Sequence, residues 1–549
     1  MAQPHIGMRT GDDERFVRRW YEVSISELAK PGRLPDVESC QIRKWAPFLK
    51  GGEFRKWYGN LEHVVNWEND GYEIKKSTLA KYPGLSWDNL GWKISNEDFY
   101  FQPCITWSDI SLLHTFGVRY CGSGFIISTI GCGIHGEEIT LLALIGLLNS
   151  KPTKIWLPVI NPSLHANPGD LAQIPVCQLD EHDKPRLEKV SQECIQIGIQ
   201  DWDSFERSWD FQFSPLLALD VRHGTSLESS NDKWTERSRD LIFEMRQLEE
   251  KNNSLLIGAY GLANELTPEV STEQITLTIN PAYRYGGQLT EEEQWVRFRR
   301  NSMEELISYA LGCMMGRYSL DEPGLIYANA GNIGFDATRY KTFLADADGI
   351  VPITDELWFE DDATNRVREF LNAVWGAETL EENMDWLAES LGKKGTETPI
   401  ETIRRYLSGS FHKDHLQTYK KRPIYWHFSS GKQGAFQALV YLHRYHEGTL
   451  ARMRAEYVVP LTGKMQSRIE MLEKDRDAAT STAARTKLAK QIESLKKKHV
   501  ELLAYDEKLR HYADMRIQLD LDDGVKVNYG KFGDLLAEVK AVTGGAGDE

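Results

Sequence analysis

The stretch "KMQSRIEMLEKDRDAATSTAARTKLAKQIESLKKKHVELLAYDEKLRHYADMRIQL" (464–519) constrains the fold most. It is poor in glycine, and its Lys/Arg and Glu/Asp residues interleave at spacings that support a helix through i, i+4 pairs. The pattern relaxes at "DAATSTA" (477–483). Residues 449–517 therefore read as a long antiparallel helical hairpin. Its charged residues read as a solvated face, and its length suits a clamp or a partner-docking arm.

The rest of the chain divides by texture. Residues 1–30 are polar and read as a connector, with Gly11 and Pro31 as punctuation. Residues 31–185 carry short strand-like runs, "HVVNW" (63–67), "DFYFQPCITW" (98–107) and "GVRYCGSGFIISTI" (117–130), then an apolar helix at 139–149 and a strand-like "KIWLPVINP" (154–162). Residues 186–260 read as a helical connector and 261–448 as a mainly helical domain. In the tail 518–549, "LDLDDGVKVNYGKFGDLLAEVK" reads as a turn, a short strand and a helix, and "TGGAGDE" as frayed. The fold class is α+β multidomain: a mixed α/β module, then a mainly helical C-terminal region with the hairpin. A length of 549 residues suits two to four domains.

Composition narrows the function classes. The longest apolar stretch, "ITLLALIGLLN" (139–149), is too short to cross a bilayer, and the N-terminus has no apolar signal region. The seven cysteines (Cys40, Cys104, Cys121, Cys132, Cys177, Cys194, Cys313) are scattered and lack a C-x-x-C pair. That usage suits a reducing cytoplasm and argues against a cysteine-based zinc site. The net charge of −16 means that a nucleic-acid partner needs a locally basic surface.

Two stretches test for a methyltransferase. Gly131-Cys132-Gly133-Ile134-His135-Gly136 spells G-x-G-x-x-G between a strand-like run and a helix. "QITLTINPAYRYGG" (274–287) sets Asn280-Pro281-Ala282-Tyr283 after a strand-like run, close to the Asn-Pro-Pro-Tyr of enzymes that methylate exocyclic amines. Both matches are incomplete. No acid ends the strand-like run after the glycines, and Pro158 interrupts it. "QITLTIN" alternates as a half-exposed strand does, and Ala282 replaces a proline. Two turns in unrelated domains are the expected reading. The rival is a self-sufficient methyltransferase using Gly131, Gly133 and Asn280.

Several long stretches resemble one family in order. They are "IGMRTGDDERFVRRWYE" (6–22), "WAPFLKGGEFRKWYGNLEHVVNWENDG" (45–71), "LLALIGLLNSKPTKIWLPVINPSLHANPGDLAQIPV" (141–176), "DWDSFERSWDF" (201–211), "ISYALGCMMGRYSLDEPGLIYANAGN" (307–332), "RPIYWHFSSGKQGAFQALVYLHRY" (422–445) and "DLDDGVKVNYGKF" (520–532). They resemble the region that follows the catalytic domain in the PglX-type adenine-specific DNA methyltransferases of BREX phage-defence systems. The resemblance implies that 31–185 is a target-recognition domain and that 1–30 leads in from a catalytic domain absent here. The complete enzyme would move methyl from S-adenosylmethionine to a specific adenine N6, marking host DNA as self. The cofactor would sit on a separate catalytic half or subunit and not on this chain, which alone should not methylate. Double-stranded DNA, that catalytic half and other BREX proteins are the implied partners, with no membrane. A stand-alone DNA-binding specificity or scaffold protein is the alternative.

A DNA-recognition role asks for cations, and the best stretch is Lys50-Gly51-Gly52-Glu53-Phe54-Arg55-Lys56-Trp57-Tyr58-Gly59. Its glycines admit a phosphate, Lys50, Arg55 and Lys56 supply charge, and Trp57 and Tyr58 can pack on sugar. Arg43 and Lys44 are candidate phosphate contacts, Arg119 a candidate base reader, and Lys421 and Arg422 a second basic point near Lys420 and Lys432. The alternative for 50–59 is a solvated turn whose aromatics are core, for Arg119 a surface salt bridge, and for the Lys421 region a solvated rim. Thr10, Asp12 and Asp13 form a polar turn able to cap a helix carrying Phe16. His412 and His415, at i, i+3, lack a third metal ligand nearby, and "GKQGAF" (431–436) lacks the signature of a phosphate loop.

Overall fold

A computed structural model describes residues 2–29, 43–109, 115–163, 165–177, 179–218 and 225–544. Cys40 and residues 545–549 lie outside the described residues. The chain forms two compact units: Met1–Trp20, Ser26–Phe211 and Asp232–Arg299 make the first, and Tyr21–Ile25, Gln212–Asn231 and Arg300–Glu549 the second. The α+β multidomain class holds.

The first unit is built on two four-stranded sheets. One is antiparallel and joins β1 (Gln3–His5), β8 (Gly131–His135), β5 (Cys104–Ser108) and β6 (Val118–Cys121) in that order. The other joins β2 (Val17–Arg19), β4 (His63–Asn66), β3 (Trp45–Leu49) and β7 (Ile126–Ile127), the last pair parallel. Both sheets thus draw strands from the stretch read as a connector. β3 and β8 are buried at every residue, so they lack the alternation of a half-exposed strand. "DFYFQPCITW" is a strand only over Cys104–Ser108, preceded by a single 3₁₀ turn at Glu97–Phe99.

Four local expectations are corrected. "KIWLPVINP" is a helix, Lys151–Ile160: Pro152 fits its first turn, Thr153 and Leu157 face inward at i, i+4, and the helix ends two residues after Pro158. "GCGIH" is the interior strand β8, because its glycines let other backbone press close; a Cβ on Gly131 would stand 2.3 Å from the Leu49 carbonyl oxygen. "QITLTIN" makes no strand but a 3₁₀ turn, Thr272–Gln274, and a short loop. The tail carries a helix, Gly524–Gly530, where a short strand was expected, started by the left-handed Gly524 and held by Asn528 donating to the Gly524 and Asp520 carbonyls.

In the second unit β10 (Tyr425–Ser429), β11 (Gln437–Tyr441) and β9 (Ile350–Pro352) form an antiparallel sheet. The expected hairpin is there, Val459–Ala478 followed by Thr482–Asp514, with Ser481 capping the second helix. Met465, Ile469, Leu495, Leu502 and Leu509 share one core with Trp426, Phe428 and Val440 of the sheet. Among the described residues no helix is long and apolar enough to cross a membrane.

Candidate nucleic-acid interface

The glycine-rich loop 50–59 is where DNA contact was expected, and its Arg55 and Lys56 side chains point inward. Arg55 and Lys56 are 4% and 3% exposed. The Arg55 guanidinium pairs with Asp201, donates 2.8 Å to Thr278 Oγ1, and lies 5.1 Å from the Trp202 ring. The Lys56 ammonium pairs with Glu249, whose other oxygen accepts Trp57 Nε1 at 2.8 Å. Arg119 is buried and donates to the Arg55 carbonyl at 3.4 Å; burial, with Arg55 beside it, pushes its guanidinium down to about 10. Trp57 holds φ of 70°, and burial holds the Tyr58 hydroxyl well above the ordinary phenol range. Lys50 pairs with Asp13, and Arg43 donates 2.7 Å to the Leu28 carbonyl. Lys44 is half-buried and its carbonyl accepts the Trp67 amide. A buried cation whose donors are taken by carboxylates is a structural brace: its attraction offsets desolvation only while the pair stays intact.

The same cluster explains 274–287. Asp201 accepts the Thr278 and Ile279 amides, both at 2.9 Å, so these N–H groups bond a carboxylate and not a neighbouring strand. Thr276 Oγ1 accepts the Lys56 amide at 3.0 Å. The polar side of the alternation therefore meets the 55–56 loop, while Ile275, Leu277 and Ile279 are buried. Asn280 is 1% exposed; its oxygen caps Ala282 at 3.2 Å, and its amide donates to the Thr272 and Ile275 carbonyls. Asn280 caps a short helix, Pro281–Tyr285, and the glycines of 131–133 lie inside a strand. The rival pairing of a cofactor loop with a catalytic asparagine is not the arrangement these residues adopt.

Exposed cations of this unit lie at several places, among them Lys184, Arg186, Lys189, Lys233, Arg237 and Arg239 on its helices and Lys76 and Lys81 on the excursion between β4 and β5. Residues 72–93, "YEIKKSTLAKYPGLSWDNLGWK", hold four lysines and two acids in a chain of net −16. Asn69, Asp70 and Gly71 all adopt positive φ and swing the chain away from the sheet; a Cβ on Gly71 would meet the Trp67 ring at 2.6 Å. The helix through Lys81 then places Tyr72 and Lys76 one turn apart on an exposed face. Lys75, by contrast, is buried between Asp70 and Glu97. A turn follows in which Ser86 and Asn89 exchange backbone hydrogen bonds at 3.1 Å.

Four large aromatics stand out on this excursion: Tyr72, Tyr82, Trp87 and Trp92 are 47%, 41%, 52% and 58% exposed. Tyr72 and Trp87 stack with centroids 5.5 Å apart and planes 14° apart. Arg9 and Lys93 both lie against the Trp92 ring, at 4.5 and 3.6 Å. Lys93 donates 2.8 Å to the Tyr82 hydroxyl and holds that phenol below its ordinary range. Lys81 reaches the Gly11 carbonyl, and Glu73 pairs with the exposed Arg15. Exposed cations interleaved with exposed rings form a surface able to meet phosphate and base together. Sequence reasoning missed this stretch, although the interleaving of Tyr, Trp and Lys around Pro83-Gly84 was there to be seen.

In the second unit Lys421 is exposed at φ of 59°, directly after Lys420 at 50°. Arg422 is half-buried, its Nε 3.9 Å from Glu22. The "GKQGAF" turn cradles an anion of its own: Glu501 of the hairpin accepts the Gln433 and Ala435 amides and the Ser430 hydroxyl. His415 accepts the Ile424 and Tyr425 amides at 3.1 Å, and burial pushes it down to about 3. His412 packs 4.9 Å from the His427 ring. Elsewhere, Asp180, His182 and Asp183 come together, but Asp180 is already accepting the His182 and Asp183 amides at the head of a helix.

No protein-family model matches the chain. The adenine-specific methyltransferase BrxX of Escherichia coli O9:H4 (strain HS) is 44% identical over 551 residues, covering 98% of this chain and 43% of its own length. The adenine-specific methyltransferase PglX of Lacticaseibacillus casei (strain Zhang) is 36% identical over 535 residues, covering 96% of this chain and 42% of its own. The chain spans less than half the length of the curated relatives it matches. It is therefore a homologue, over nearly all of its own length, of the BrxX and PglX adenine-specific methyltransferases.

Proposed function

We propose that this chain is the DNA-recognition part of an adenine-specific DNA methyltransferase. Its likeness to BrxX and PglX supplies the reaction class. The observation that carries the DNA-binding role is the exposed lysine–aromatic surface of residues 72–93, set in a chain of net −16. Such a protein needs a local basic surface to approach a phosphate backbone against its own field.

In the proposed division of labour this chain grips the duplex and selects the site. A catalytic part, in the same polypeptide or on another subunit, holds S-adenosylmethionine and accepts the adenine. Chemistry on a base edge inside a duplex requires the base to leave the stack, so the recognition part must hold DNA while it is distorted. Lys76, Lys81, Lys93 and Arg9 would neutralise phosphates; Lys421 would add a contact from the second unit. Arg55, Lys56, Trp57 and Arg119 serve by bracing the loop and the 274–280 segment.

Two titrations of the purified chain test this. It should bind duplex DNA with log K falling steeply against log salt, and should take up no S-adenosylmethionine by calorimetry. Micromolar affinity for the cofactor would overturn the division of labour; salt-independent or absent DNA binding would overturn the recognition role.

A further inference from the structure

We propose that the 72–93 excursion binds an unstacked base, displaced from the duplex, on the exposed part of Trp87. This rests on the DNA-recognition reading and goes one step past it: the ligand is the face of a base and not a groove edge.

The geometry of the rings carries it. Tyr72 and Trp87 are near-parallel, 14° apart, with centroids 5.5 Å apart. Trp87 is 52% exposed, and among the described residues no second ring or cation covers it. The pair is thus a short stack in which half of Trp87 stays exposed. Ring faces of this kind are matched by base faces, which an intact duplex hides within its own stack and a displaced base offers.

Charge complementarity names the partner as a polyanion. Lys76 lies 5.7 Å from the Tyr72 ring, so a cation flanks the stack. Lys93 and Arg9 sit on Trp92, and Lys81 stands at the end of the same helix as Tyr72. Of the two acids on the excursion, Glu73 is paired with Arg15. A backbone running past these cations would bring a displaced base to Trp87. The excursion leaves β4 through three consecutive left-handed residues, Asn69, Asp70 and Gly71.

The test uses the whole chain and three mixed-sequence probes at low salt: a perfect duplex, the same duplex with one unpaired base, and the single strand. Fluorescence anisotropy should show the bulged duplex bound about tenfold tighter than the perfect one, as the gain of one base–ring stack predicts. Trp87→Ala should abolish that preference while holding perfect-duplex affinity within about twofold, and Trp87→Phe should retain it. Because Trp87 is half exposed, both variants should melt with the parent. Equal affinity for bulged and perfect duplex, or a preference that survives Trp87→Ala, overturns this inference and leaves the DNA-recognition reading standing. No binding to any of the probes overturns both.

Discussion

The first unit holds two clusters of the same residue types, lysine and arginine against tryptophan and tyrosine, put to opposite uses. Around Arg55, Lys56 and Trp57 the charges turn inward onto Asp201 and Glu249, 146 and 193 residues away in sequence. Around Tyr72, Trp87, Trp92 and Lys93 they turn outward. Both stretches combine cations, aromatics and turn residues. The difference is the supply of buried carboxylates: a helix running through Asp201 and another through Glu249 present acids to the first loop. A cation–aromatic motif therefore says little about DNA contact until the acids that reach it are known.

The largest effect should come from breaking the inward cluster. Asp201→Ala strips the partner from Arg55 and the acceptor from two amides, and should cost the first unit about 3–5 kcal/mol in chemical denaturation, the usual penalty for a buried charge left alone. Glu249→Leu should behave alike, and Lys56→Met combined with Glu249→Leu should recover most of the loss. A change under about 0.5 kcal/mol in either single variant would mean that the cations are not braces.

Breaking the outward cluster should leave stability alone. Lys81→Ala with Lys93→Ala should melt with the parent and weaken duplex binding, with the salt slope shallower by about 1–2, since each phosphate left without its cation lowers the slope by about 0.9. An unchanged slope would remove these lysines from the interface.

A smaller effect separates the two by pH. His135 lies on β8 near His5 and Phe99, and burial pushes it from its ordinary 6.5 to about 4. Between those values the unfolded chain binds the extra proton, so stability is fully present above pH 6.5 and is lost as pH falls towards 4. His135→Leu should make the fall of melting temperature across that same interval shallower, with duplex affinity at neutral pH unchanged. Parallel profiles would show that this histidine is not desolvated. The smallest effect is expected at Lys421: Lys421→Ala should reduce the salt slope by at most about 0.9, the yield of one neutralised phosphate.

How legible the molecule was follows from how local each signal is. The hairpin could be read because a long helix is specified residue by residue, by charge spacing and the lack of breakers. The helix at 138–148 was readable from its apolar run. The Lys151–Ile160 helix was hidden because apolar β-branched residues around a proline suggest an edge strand as readily as a helix start. The 274–280 segment misled for a tertiary reason: its alternation is real, but the acceptors for its amides are on Asp201, far off in sequence. The burial of Arg55 and Lys56 was hidden in the same way, since their carboxylate partners lie far off in sequence. The 72–93 surface was passed over because exposed tryptophans are rare enough for aromatics to be read as core.

The central claim is that DNA meets the outward cluster and not the inward one. Lysine-reactivity footprinting with and without duplex DNA tests it most directly. The prediction is protection at Lys76, Lys81 and Lys93 on adding DNA, with Lys56 unreactive in both states. DNA-dependent protection confined to residues 50–59, with 72–93 as reactive as before, would contradict it.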